Sequence, residues 1–351
     1  MNNELIKLSL DDLANLVQSW GFPSFRAKQI HEWIHKHHCT SVDEMTNVPR
    51  ALREKLALTF HAQQVTVFDR QISQDGTRKY VLKLDDDRLV ETVGMPLYNT
   101  RGDIERLTVC ISSQVGCPMA CAFCATGREG LTRNLSAAEL VQQVALVQKD
   151  FEARVSNVVV MGQGEPFLNY DEVIKALRIM NDENDLHIGA RHMTISTCGI
   201  IEGIDRLADE PEQFTLAISL HSALQTTRNT LMPRVKHQPL PSLKRALEYY
   251  IEKTNRRVSF EYLLIQGIND SEDDLQALIS FCHGLLCHVN VLPMNPVEGA
   301  DFQPSSATTV SHWMKALSRA GIEASLRKSR GSDIDGACGQ LKNRLVSRET
   351  N

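Results

Sequence analysis

Apolar positions change rhythm twice along this chain. Between Leu10 and Leu58 they recur at helical spacing, as in Leu10, Leu13 and Leu16 and again in Ile30, Trp33 and Ile34, which predicts a small N-terminal helical unit. From Gln64 to Met95 the pattern becomes alternation of β-rich residues, as in Val65-Thr66-Val67 and Tyr80-Val81-Leu82, broken at Gln74-Asp75-Gly76. This predicts two or three antiparallel strands. After Arg101 the rhythm is strand then helix, with apolar or β-branched runs at 107–112, 157–161, 193–197, 214–220, 258–265 and 289–292. Strands separated by helices imply a parallel sheet with right-handed crossovers.

The helix starts are readable. Ser136-Ala137-Ala138-Glu139 and Ser271-Glu272-Asp273-Asp274 place a capping hydroxyl three residues before a carboxylate. Leu140, Val141, Val144 and Val147 then recur on one face. Both serines also complete glycosylation triplets, Asn134-Leu135-Ser136 and Asn269-Asp270-Ser271, for which capping is the better reading. Periodicity alone leaves open a doubly wound sheet and a barrel.

With 351 residues the chain is long enough for one large α/β domain and a smaller appendage, so it does not depend on metal for a core. Nine cysteines are too dilute for a disulfide framework, and their clustering points to metal or redox chemistry in a reducing compartment. The first residues lack a signal-peptide pattern and no apolar run approaches membrane-spanning length, so a cytoplasmic protein with no membrane partner is expected. The net charge of −5 gives no bulk attraction to nucleic acid. Basic residues nonetheless cluster at Arg26 to His38, at Arg228 to Arg245 and at Arg327-Lys328-Ser329-Arg330, each a solvated face or a phosphate-binding one.

The chemistry concentrates in Cys117, Cys121 and Cys124, a C-x3-C-x2-C run directly after the first strand of the repeating part. Three thiolates leave one iron of a [4Fe–4S] cluster open, since such clusters normally take four. A structural zinc site completed by Cys110 or a distant His is the alternative, although only one C-x2-C arm is present. The spacing resembles the radical S-adenosylmethionine (SAM) signature, in which the methionine end of SAM chelates the open iron. That resemblance favours a partial (βα)6 barrel, with its site at the carboxyl ends of the strands. Met161-Gly162-Gln163-Gly164-Glu165-Pro166 follows the second strand and resembles the family's SAM-binding segment. Gly164 and Glu165 take that role by resemblance, with Ser196, Ser219, Leu220, His221 and Asn295 at later strand ends.

Two further cysteines narrow the reaction. On the first strand Leu107, Val109 and Ile111 point one way while Thr108, Cys110 and Ser112 point the other, which puts Cys110 on the more polar face. Cys338 lies among glycines in a segment that reads as a mobile loop. The stretches 109–117, 123–127 and 330–341 together resemble the RlmN/Cfr family of radical SAM RNA adenine methyltransferases, and the resemblance runs over nearly the whole chain. Glu165-Pro166 and Arg330-Gly331 place it nearer the C2-methylating RlmN branch than the C8-methylating Cfr branch. Gln163 departs from the usual methionine and Cys198 from a more usual serine.

The resemblance implies a fold of the α/β class: a radical SAM barrel over 101–345 ending in a catalytic-cysteine loop, an N-terminal helical RNA-binding unit over 1–60 and a β extension over 61–100. It implies a [4Fe–4S] cluster on Cys117, Cys121 and Cys124, SAM as cofactor, Cys338 as an S-methylcysteine carrier, Cys110 as resolving thiol and Glu91 as proton acceptor. Partners would be 23S rRNA, a tRNA and an electron donor such as flavodoxin or ferredoxin. Adenine C2 is electron-poor and will not attack a methyl sulfonium, so a radical route suits it. A radical SAM enzyme acting on a small molecule or protein, and a zinc-stabilised RNA-binding module, are the other classes open to the chain.

Overall fold

The computed structural model describes residues 5, 8–35, 39, 42–60, 65–128, 130–295, 301–337 and 339–341. Helices α1 (Leu10–Ser19), α2 (Phe25–His35) and α3 (Arg50–Thr59) form the N-terminal unit. Ser9 starts α1 with a capping box, its side chain accepting the Asp12 N–H while Asp12 returns to the Ser9 N–H. Leu13, Val17, Ile30, Leu52 and Leu56 meet in a core of their own, apart from that of the sheet.

A ten-stranded sheet follows. Strands β1 (Thr66–Ile72), β2 (Arg78–Lys83), β3 (Leu89–Tyr98) and β4 (Ile104–Cys110) run antiparallel to one another in sequence order. A small hairpin of β5 (Gln114–Gly116) and β6 (Leu131–Asn134) brackets the cysteine motif. From β4 the sheet turns parallel through β7 (Asn157–Val160), β8 (Met193–Thr197), β9 (Thr215–Ser219), β10 (Val258–Leu264), β11 (Cys287–Pro293) and β12 (Ala324–Leu326). The crossovers carry α4 (Ala137–Phe151), α5 (Tyr170–Asn181), α6 (Ile201–Ala208), α7 (Gln225–Leu231), α8 (Leu240–Thr254), α9 (Glu272–Cys282) and α10 (Ala307–Arg319). The sheet ends at β12 without pairing back to β1, giving the expected partial barrel with its β extension.

Capping boxes at Ser136 and Ser271 start α4 and α9. Leu140, Val141, Val144 and Val147 of α4 pack on Leu107, Val109 and Ile111 in the main core. Cys110 faces the other way, into a small buried cluster with Val93 and Leu341. Two elements were not expected from the sequence: β12, whose three residues are too short to show periodicity, and the β5–β6 hairpin, whose strands merge into the motif. Among the described residues no helix is long and apolar enough to cross a membrane.

Candidate functional site

The three motif thiols stand in an apolar pocket beyond the carboxyl end of β4. Cys117 follows β5, and its N–H donates to the Gly130 carbonyl at 2.9 Å. Gly116 takes φ +76°, and a Cβ there would fall 1.9 Å from the Gly130 oxygen, so only glycine closes this hairpin. The Ala122 N–H donates to the Leu231 carbonyl at 2.9 Å, tying the loop to α7. Met119, Leu231, Met232, Val235, Leu263 and Met294 line the pocket. The Phe123 ring stands edge-on to His221 with centroids 4.7 Å apart.

Burial pushes the Cys117 thiol up to about 12 and raises Cys124 as well, with the neighbouring motif thiols adding to both. Thiols so placed shed their protons to a metal rather than to water. Among the described residues no three His, Cys, Asp or Glu side chains gather where a single ion could sit. Three thiols of one C-x3-C-x2-C run gathered in a single apolar pocket are a donor set that fits a [4Fe–4S] cluster with three protein ligands.

Beside this pocket β7 runs into Gly162-Gln163-Gly164-Glu165. Gly164 has φ +111°, and a Cβ there would lie 2.5 Å from Ser113 Oγ. Glu165 is 1% exposed. Its carboxylate accepts the Cys198 N–H at 2.7 Å and the Phe167 N–H at 3.1 Å, while burial raises its pKa. At the next strand ends Ser196 Oγ and Ser219 Oγ stand 3.4 Å apart. The Leu220 and His221 N–H groups both donate to the Glu261 carbonyl. His221 is buried, and its Nδ1 accepts the Leu263 N–H at 3.1 Å. Burial first and the Arg228 charge second lower its pKa to about 3, so the ring is neutral. Asn295, after β11, accepts the Ser329 hydroxyl at 2.7 Å. These residues line successive strand ends of one sheet, with Glu165 reaching β8 through Cys198.

The third group lies on the antiparallel side. Glu91 on β3 is 1% exposed, and it pairs with buried Lys79 of β2 at 3.3 Å. Gln163 Oε1 accepts the Glu91 N–H at 3.1 Å, and the Ser112 hydroxyl donates to the Glu91 carbonyl at 2.6 Å. Gln163 thus fastens the segment after β7 to the strand that carries Glu91. Cys110 stands opposite Val93, two residues along β3.

Cys338 lies outside the described residues, but its neighbours are placed. The Ala125 N–H donates to the Gly339 carbonyl at 2.9 Å, and the Thr126 hydroxyl to the Leu341 carbonyl at 2.7 Å. Leu341 packs on Cys110. Upstream, Arg330 Nη1 donates to the Pro96 carbonyl at 2.9 Å, and Asp333 accepts the Ser73 hydroxyl at 2.6 Å. The described residues on either side of position 338, in the segment whose glycines suggest a mobile loop, are hydrogen-bonded to the rest of the fold.

Reading along the sequence missed four participants: Lys79, Gln114, Cys198 and Arg228. Gln114 Oε1 accepts the Glu165 N–H at 2.9 Å. Arg228 was grouped with a surface basic cluster, yet it is fully buried, with Nη2 donating to the Cys198 carbonyl at 2.6 Å. A signal was available only for Cys198, the cysteine at a position more usually serine.

Comparisons with known proteins identify the family. The Radical SAM superfamily signature matches residues 111–279, and the ribosomal RNA large subunit methyltransferase N-terminal domain matches residues 3–62. A Clostridium novyi protein named "Probable dual-specificity RNA methyltransferase RlmN" is 40% identical over 343 residues, covering 97% of this chain and 98% of that one. A protein of the same name from Rippkaea orientalis is 44% identical over 338 residues, 96% of this chain and 97% of that one. The crystal structure of a radical SAM methyltransferase from Sphaerobacter thermophilus superposes with a TM-score of 0.91 at 40% identity, over 97% of this chain and 99% of that one. The chain belongs to the RlmN family of radical SAM methyltransferases, whose cofactors are a [4Fe–4S] cluster and SAM.

Proposed function

We propose that this protein methylates C2 of an adenine in 23S rRNA and of an anticodon-loop adenine in tRNA, through an S-methylcysteine at Cys338. The observation that carries the reading is the placement of Gly339 and Leu341, bonded to the segment after Cys124 and packed on Cys110. The described residues that flank position 338 thus touch both segments, which supports the reading. Cys117, Cys121 and Cys124 would hold the cluster, while Gly164, Glu165, Ser196, Ser219, Leu220, His221 and Asn295 would line the SAM site. When bound, the two cofactors supply a methyl group and a hydrogen-abstracting radical.

The chain's own residues do the rest. Cys338 carries the methyl as a thioether and delivers its carbon to the base, which leaves protein and RNA joined through the Cys338 sulfur. Glu91 takes the ring proton, in a buried position where Lys79 balances the carboxylate charge before the proton arrives. Cys110, as a thiolate, then attacks the Cys338 sulfur: the S–S bond forms as the carbon–sulfur bond breaks, the released methylene carbon takes up a proton to become the methyl group, and the odd electron left by radical addition would pass to the cluster. The adenine must leave its stack to reach this depth. We assign residues 1–60 to RNA binding, 61–100 to the extension that carries Glu91, and 101–345 to the barrel. A flavodoxin or ferredoxin in the cytoplasm would reduce the cluster.

Nucleoside mass spectrometry of protein-free 23S RNA, after anaerobic reaction with SAM carrying a CD3 methyl, tests the reading. A 2-methyladenosine that has lost one of three deuteriums is expected. An intact CD3 group would refute the Cys338 route, and an 8-methyl product would move the protein to the Cfr branch. In Cys110→Ala, methylation of Cys338 should persist while protein accumulates covalently on RNA; normal turnover would remove Cys110 from the scheme.

A further inference from the structure

One charge beside the thiol pocket has no counterpart among the described residues. Arg228 is 0% exposed, and among the described residues its Nε and Nη1 have no hydrogen-bond partner. An unpaired buried cation is costly, and an apolar side chain of similar size would remove that cost. The fold nonetheless makes room for it: a Cβ at Gly199 would crowd Nη2 at 3.2 Å. The helix that carries Arg228 is tied to the motif, because its Leu231 carbonyl accepts the Ala122 N–H at 2.9 Å. Complete burial removes RNA phosphate as its partner.

Cys198 links the cation to the motif. Its carbonyl accepts from Arg228 at 2.6 Å and its N–H donates to Glu165 at 2.7 Å, so both backbone groups are clamped. The side chain packs in the motif pocket with Cys117 and Cys121. The C-x3-C-x2-C run already supplies three thiolates, so the Cys198 thiol beside it is placed as a donor to a cluster sulfur rather than as a fourth ligand.

We infer that Arg228 is the built-in counter-charge of the iron–sulfur cluster and that, together with Cys198, it sets the cluster's reduction potential. The inference rests on the reading of Cys117, Cys121 and Cys124 as cluster ligands. Net charge and hydrogen bonds to sulfur are the levers by which a protein tunes such a cluster. Reduction adds one negative charge; a fixed cation in a low-dielectric pocket favours the more negative state. The orphaned Nε and Nη1 donors await that charge.

The test is the midpoint potential of the anaerobically reconstituted protein, followed by electron paramagnetic resonance without SAM and with it. Arg228→Met should lower the reduction equilibrium at least tenfold without SAM, about 59 mV for a one-electron couple. Arg228→Lys should recover most of that loss. Cys198→Ala should shift the potential the same way by less, and Cys198→Ser, which keeps a donor, should stay near the wild type. The metal-free Arg228→Met protein should melt no lower than the wild type, a result that a merely structural arginine would not give.

An unchanged potential in Arg228→Met at full iron content overturns the inference. So does a shift seen only with SAM present alongside weakened SAM binding, which would reassign the arginine to the SAM carboxylate. If Arg228→Met takes up no iron, Arg228→Lys and Cys198→Ala decide by the same criteria. A wild-type protein without an iron signal would instead refute the cluster reading itself, a distinct outcome.

Discussion

Two buried cations divide this molecule. Lys79, on the antiparallel extension, is 5% exposed and pairs with Glu91 at 3.3 Å. Arg228, behind the thiol motif, is as deeply buried and has two nitrogens without a partner among the described residues. The first charge is balanced within the protein; the second, on our inference, is balanced by the cluster. A closed pair is a device for positioning a carboxylate, whereas an open charge marks where the protein is incomplete without its cofactor.

The comparison breaks most completely at the motif. Cys121→Ser should cost the cluster and with it all measurable methyl transfer, at least a thousandfold, as read by iron and sulfide content and by nucleoside analysis. It should also leave Arg228 facing no anion. A variant that kept its iron and its turnover would show that Cys121 is not a ligand.

Next in size is the closed pair. Glu91→Gln should lower turnover at least a hundredfold with cluster content unchanged, and protein joined to RNA should accumulate because the ring proton is not removed. It also strands Lys79, and breaking a buried pair costs about 3–5 kcal/mol. Lys79→Met in the same protein should restore most of that stability but none of the turnover. Chemical denaturation of the two singles and the double separates the effects. Equal turnover in Glu91→Gln and the wild type would limit the carboxylate to a structural role.

The same contrast explains what could be read in advance. The strands of the repeating part are legible because Val158, Val160, Ile195, Leu216 and Ile218 form dense apolar runs, and the capping serines because the box is local. Cys117, Cys121 and Cys124 stand out by spacing alone. Charges do not announce burial: Arg228 sits in Thr226-Thr227-Arg228-Asn229, a polar stretch that reads as solvated, and Glu91 sits on an alternating strand that reads as half-exposed. Their depth is set by elements far along the chain. For Glu91 these are Lys79, Ser112 and Gln163; for Arg228, Cys198 and Gly199.

The smallest expected effect sharpens the comparison through a neutral group. His221 is buried within the field of Arg228 and has a folded pKa of about 3 against an ordinary value near 6.5. The unfolded chain therefore binds a proton in this interval that the native protein does not. Stability linked to His221 is present above pH 6.5 and is lost as pH falls toward 3, by up to about 1.4 kcal/mol per pH unit. Metal-free protein should show that slope in denaturant unfolding followed across pH, and His221→Gln should flatten it. Arg228→Met should narrow the interval from below, because the neighbouring cation is the second cause of the depression, while burial keeps most of it in place. An identical slope in the wild type and His221→Gln would assign the acid sensitivity to other groups.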